Sequence, residues 1–240
     1  MKIKIRLVVT GIILVAALVG TVLFLKKHHP APVKPLKPIA GVVGHPAALK
    51  VHGPDSAPVK IMEFSDFECP SCRAVQDDLQ NIFKKYPNKI QLTYKHFPLS
   101  SHKWSIYAHQ AAECMNVQKK FWPFHDKVYA KQLEWTSSLT PPVDTMVRYA
   151  QESGANMDPF MACMGDVAVT REIYAEKEEG SQRQVNATPT FLLGTERFVG
   201  PKEFRSRGEN AIRKILGLPP NPIPVEPPAP VPPQPKKTSK

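Results

Sequence analysis

Cys69, Pro70, Ser71 and Cys72 place two thiols one helical turn apart, where an apolar run gives way to a helical pattern. Cysteines so spaced can staple the chain, form half of a metal site, or exchange disulfides with other proteins. Exchange requires a thiolate, because only the ionised sulfur attacks. A helix N-terminus supplies what such an anion needs, namely unpaired backbone N–H groups and the positive end of the helix dipole. Pro70 suits the first helical position, where its missing N–H would be unpaired anyway. Cys69 is therefore expected to be an exposed nucleophile of depressed pKa, and Cys72, on an apolar stripe with Val75 and Leu79, a shielded resolving thiol. Glu63 stands in an otherwise apolar strand just before the pair. Buried, it would have a raised pKa and could pass a proton to or from Cys72; at a wet strand end it would do neither. Asp66 reads as a cap of the turn and Glu68 as a solvated neighbour of Cys69. A zinc site wants two paired knuckles, but only one C-x-x-C exists and the histidines, His96 and His125 included, show no ligand spacing; neither metal nor cofactor is expected.

The elements that must hold these residues follow from periodicity. Residues 57–64 form a short apolar run fit for a buried strand, and residues 89–97 alternate well enough for another. Between them one helix is expected from Pro70 to about Tyr86, with Cys72, Val75, Leu79, Ile82 and Phe83 on one face. A helical stretch follows, from Trp104 to Met115, through residues 121–133 and 143–153, through a helix with Asp158 capping Pro159, and through one beginning at Asp166 and running past Glu179. Residues 188–194 and 196–200 read as a hairpin about Gly194 and Thr195, and a last helix from Pro201 stops at Gly217.

Of the net charge of +11, seven Lys/Arg without an acid lie in residues 1–48, and three Lys against Glu226 lie in residues 218–240, so the body between is nearly neutral. That distribution argues against a nucleic-acid partner. Leu7 to Leu25 carries no charge and as a helix would be about 28 Å long, enough to span a bilayer. Lys2, Lys4 and Arg6 hold residues 1–6 in the cytoplasm by the positive-inside rule and send the rest outward. An uncleaved membrane anchor and a cleaved signal sequence both export the chain to the periplasmic or extracellular side, where disulfides persist. Residues 26–48 are a Pro-rich spacer and residues 218–240 a Pro-rich, basic-tipped tail, with the folded unit at 49–217.

With the motifs at residues 63–72, 96–99, 121–126 and 186–191, the order strand, helix, strand, helical block, hairpin, helix resembles the DsbA-like thiol:disulfide oxidoreductases over about residues 49–217. The resemblance implies an α/β class, a thioredoxin fold with an inserted helical subdomain at about 100–182. It also implies an enzyme that makes disulfides in exported proteins and is reset by a membrane or soluble redox partner. Thr188–Pro189 matches the position of the family's cis-proline, which faces the dithiol; Ser71 stands where the DsbA type usually has a histidine, so oxidising strength is not fixed by the motif. Cys114 and Cys163 are expected to form a disulfide closing the insertion, as in similar relatives, with two buried free thiols as the alternative. The same site run as reductase or isomerase, or a non-catalytic thioredoxin-fold chaperone or assembly module, are the competing functions.

Overall fold

The computed structural model describes residues 50–221. The expected anchor at 7–25, the spacer at 26–48 and nearly all of the tail at 218–240 lie outside them. Among the described residues no helix is long and apolar enough to cross a membrane.

The frame is a five-stranded sheet in the order β1 (Val51–His52), β3 (Ile90–His96), β2 (Val59–Ser65), β4 (Thr190–Leu193), β5 (Glu196–Val199). β2 and β3 run parallel with Val59 opposite Ile90 and Ser65 opposite His96, while β1, β4 and β5 pair antiparallel to their neighbours. Parallel strands need a crossover. It is made by α1 (Pro70–Ala74) and α2 (Gln76–Lys85). Gly194 gives the two-residue β4–β5 loop the positive φ that its first position requires, at 60°.

The single helix expected over 70–86 is two. Val75 is fully buried beside Leu79, and the backbone breaks there. Arg205 donates to the Ala74 carbonyl (3.3 Å) while pairing with Asp78 (2.7 Å), so a side chain inserted at the break takes up a carbonyl that a continuous helix would have bonded.

Between β3 and β4 lie α3 (Ser105–Val117), α4 (Phe121–Ala130), α5 (Gln132–Thr136), α6 (Val143–Glu152), α7 (Met157–Met164) and α8 (Val167–Gln182). Asp166 caps α8 by accepting the Ala168 N–H (2.8 Å). Asp158 does not cap α7, whose N-cap is Asn156; the helix starts two residues earlier and Asp158 lies in its first turn. Cys114 on α3 is joined to Cys163 on α7 with Cα atoms 5.6 Å apart. The last helix is interrupted: α9 (Gly200–Glu203), a π turn at Phe204–Gly208, then α10 (Glu209–Ile215). Phe204 stacks on Phe191 at 4.1 Å between ring centroids, and a Cβ at position 208 would lie 2.8 Å from that same Phe204 ring.

Val59, Ile61, Ile90, Leu92, Phe191 and Leu193 pack against the α1–α2 crossover and the last helix. Phe64 and Phe97 close against α8 at Gly180, where a Cβ would approach both rings within 3 Å. A further core fills the helical insertion and reaches the sheet through Tyr94 and Phe67. Phe67 thereby connects the insertion to the turn that carries the dithiol.

Candidate active site

Cys69 is the N-cap of α1, with extended backbone (φ −71°, ψ 120°), and Pro70 follows at the first helical position. The turn is fixed from three sides. The Cys69 N–H donates to the Asp66 carbonyl (3.1 Å), and the Cys69 carbonyl accepts the N–H groups of Cys72 (3.1 Å) and Arg73 (3.2 Å). Gln132 on α5, buried, donates its amide to the carbonyls of Phe67 (2.8 Å) and Cys69 (2.9 Å). The peptide Thr188–Pro189 is cis, and the Cys69 thiol lies 3.5 Å from the Thr188 carbonyl oxygen. Pro70 and Ser71 are exposed, and a groove of about 330 Å³ opens beside them, lined by Arg73, Gln76, Tyr129 and Leu133 among others.

Both cysteines are unbonded thiols. Cys72 is fully buried, whereas Cys69, expected to be exposed, retains only 6% of its surface. The Thr188 loop and the Gln132 clamp crowd the turn, so a partner meets a narrow opening rather than a projecting side chain. The electrostatics divide the pair. The Cys69 thiol is pulled down to about 5, chiefly by a hydrogen bond from Cys72; burial works against this, and Thr188 with the backbone N–H groups of Cys72 and Ser71 adds to it. The helix N-terminus therefore contributes, but less than the partner thiol. Cys72 is pushed well above 9 by burial and by giving its hydrogen bond to Cys69.

Glu63 is fully buried and neither carboxyl oxygen has a hydrogen-bond partner. Burial pushes it up to about 7, against the opposing effect of the nearby Ser65 hydroxyl. Ser65 also faces Cys72, lowering it, and its hydroxyl is bonded to Tyr129 Oη at 2.9 Å. The serine thus stands between the orphan carboxyl and the resolving thiol.

Asp66 is no simple turn cap. It is fully buried, its N–H donates to Cys72 Sγ (3.4 Å), and its carboxylate accepts from Glu68 N–H (2.9 Å), Leu99 N–H (2.8 Å), Ser105 Oγ (2.5 Å) and His102 Nδ1 (2.7 Å). Burial opposes its charge, yet the bond from His102 and the nearby His109 ring hold the carboxyl well below the usual range. Glu68 is half-buried and accepts the Trp104 N–H (2.6 Å) rather than standing in solvent.

Behind this turn lies a polar seam that sequence reasoning missed. His96 and His109 face each other with Nδ1 atoms 2.6 Å apart, His96 Nε2 donates to Glu113 (2.9 Å), and Lys50 bridges Glu113 (2.8 Å) and Glu176 (2.9 Å). His125 packs among Phe67, Tyr94, Trp122 and Tyr129. Among the described residues no group of three His, Cys, Asp or Glu side chains could hold a metal ion. Gln132 and Ser65 had no signal in the sequence beyond their distance from the dithiol; the seam could have been suspected from His109, Glu113 and Asn116 falling on an otherwise apolar α3.

The sequence model described as thioredoxin matches residues 48–209. Among solved structures the chain is similar to α-DsbA1 of Wolbachia pipientis, at 22% identity over 70% of this chain and 90% of that one, with a TM-score of 0.62. It is likewise similar to BdbD from Bacillus subtilis, at 22% identity over 70% and 92%, with a TM-score of 0.60. Likeness at this identity concerns the fold. Among curated proteins it is 31% identical over 152 residues to the Na(+)/H(+) antiporter NhaA 3 of Salinispora tropica, covering 63% of this chain and 22% of that protein. The chain spans about a quarter of the length of the curated relatives it matches.

Proposed function

We propose, for a chain that belongs to the thioredoxin family, that it is a protein thiol:disulfide oxidoreductase of the DsbA-like kind, forming disulfides in exported proteins through Cys69 and Cys72. The observation that carries this is the placing of the two thiols, Cys69 at the N-cap of α1 beside the cis Thr188–Pro189 peptide and Cys72 fully buried, which draws Cys69 down to about 5 and pushes Cys72 far up. A nucleophile held as thiolate stabilises the reduced form, and a pair so stabilised is the stronger oxidant. That argues for oxidase over reductase even with Ser71 between the cysteines.

In the oxidised enzyme a client thiolate attacks Cys69 Sγ; the Cys69–Cys72 bond breaks and its electron pair goes to Cys72, which takes a proton. A second client thiolate then attacks the client sulfur of the mixed disulfide, closing the client bond and releasing Cys69 as thiolate. The redox partner later removes two electrons and restores the pair. Glu63, with Ser65 between, is the group suited to give Cys72 its proton and take it back, because a carboxyl near 7 holds a proton at neutral pH without holding it tightly. Pro70, Ser71 and the Thr188–Pro189 loop form the surface the client segment meets. In this reading residues 7–25, as membrane anchor or cleaved signal sequence, export the domain at 49–217 to the extracytoplasmic side; antiport is no part of it.

The test is the reduction potential of the purified chain against glutathione, together with trapping in cells by Cys72→Ala. The oxidase reading expects a potential toward about −120 mV and mixed disulfides at Cys69. A potential near about −270 mV would make the enzyme a reductase, and an absence of adducts would remove any exchange role.

A further inference from the structure

Ser71 leaves the dipeptide between the cysteines without a basic group, yet the turn holds a buried carboxylate on Asp66, the residue whose backbone bonds both cysteines. Asp66 touches both halves of the pair through its backbone, with its N–H on Cys72 Sγ (3.4 Å) and its carbonyl on the Cys69 N–H (3.1 Å). An anion so placed opposes a second anion on sulfur. Of the four donors within 3 Å of its carboxylate, two are backbone N–H groups and one is the buried Ser105 hydroxyl, none of which can carry charge. The fourth is His102 Nδ1 at 2.7 Å, on a side chain 20% exposed. His102 is therefore the member of this shell that both titrates and meets solvent.

We infer that His102 is a positioning residue for the exchange site, supplying as imidazolium the charge that neutralises Asp66 and so permits Cys69 to ionise. The inference deepens the exchange reading above and rests on it. The charged and titratable groups around the pair are consistent with it. Glu68 faces the same turn, bonded to the Trp104 N–H, and His109 Nε2 lies 3.5 Å from Asp66 Oδ1, but His109 is fully buried and tied to His96, without access to solvent. The hydrogen bond to Asp66 raises His102, with Cys69 and Glu68 adding to that rise, so the imidazole is charged while Cys69 titrates. Coupling is reciprocal. A thiolate that gains from the imidazolium must strengthen the imidazolium's hold on its proton by the same factor.

Two measurements on the full reduced chain test this. The pH dependence of Cys69 alkylation, compared between wild type and H102Q, is expected to show about tenfold less thiolate in H102Q on the acid side of the midpoint, an order typical of losing one neighbouring opposite charge. An NMR titration of the His102 ring in wild type and C69S is expected to show a lower midpoint in C69S, a change that a merely structural histidine would not register. A low wild-type Cys69 midpoint that H102Q leaves unmoved overturns this inference alone, as does a His102 midpoint indifferent to C69S. A wild-type midpoint at the free-cysteine value overturns the exchange reading and this inference with it.

Discussion

Two carboxyls lie on either side of the contact between sheet and insertion, equally withdrawn from water and opposite in behaviour. Glu63 on β2 and Glu113 on α3 are 0% and 1% exposed. Glu113 is met by Lys50, His96 and Asn116, and although burial pushes against its charge, the bond from His96 and the Lys50 ammonium hold it well below the usual range. Glu63 has no donor within hydrogen-bond distance, and burial, opposed only by Ser65, pushes it up to about 7. Burial alone neutralises an acid, while burial with partners fixes its charge. Glu113 is therefore part of the framework, and Glu63 is a group free to exchange a proton at neutral pH.

The comparison breaks most sharply at Lys50. Lys50→Met leaves Glu113 buried without its cation and Glu176 with Lys95 alone, and denaturant unfolding should show a loss of about 3–5 kcal/mol; a loss below about 1 kcal/mol would mean the seam is not held by charge. At Glu63 the expected sign is reversed. Its pKa is about 7 when folded against an ordinary 4.5, so its contribution to stability is whole below pH 4.5 and lost as pH rises through 7. Glu63→Gln should thus match wild type near pH 4 and exceed it by up to about 3 kcal/mol at pH 8, measured by unfolding across that range. In the same variant the protonation of Cys72 should slow by about 100-fold in stopped-flow exchange, the lower range for a lost general acid.

Gln132→Ala removes the clamp between insertion and turn; with Cys69 O still taking two N–H groups, the cost should be about 1–2 kcal/mol, together with faster alkylation of Cys69 as the opening widens. The smallest effect is at Tyr129. Tyr129→Phe frees the Ser65 hydroxyl for Glu63 at a cost of about 1 kcal/mol, and the Glu63-dependent slope of stability with pH should flatten.

How much of this could be read from the chain differs by residue, and for physical reasons. The alternation at residues 89–97 and the apolar run at 57–64 announce β3 and β2 because one strand is half-buried and the other wholly so. Cys69 at a strand-to-helix junction is equally local, since Pro70 marks the helix start. The break at Val75 was invisible because it depends on Arg205, more than a hundred residues away. The seam failed for the same reason. His96, Glu113 and Glu176 come from β3, α3 and α8 and Lys50 from just before β1, and each alone is an ordinary surface residue type. Glu63 was left between two environments by its sequence, and which one it occupies is decided by β4 and the insertion closing over β2, not by β2 itself.

The Cys114–Cys163 bond has a consequence for handling the protein at the bench. Cys114 is wholly covered, Cys163 is half-buried, and the bond joins α3 to α7 within the insertion rather than the turn that carries Cys69 and Cys72. A gentle reductant should therefore register two thiols per chain and stop, with the second pair appearing only once the helices around it have come apart, so that counting thiols becomes a gauge of whether the insertion is still folded.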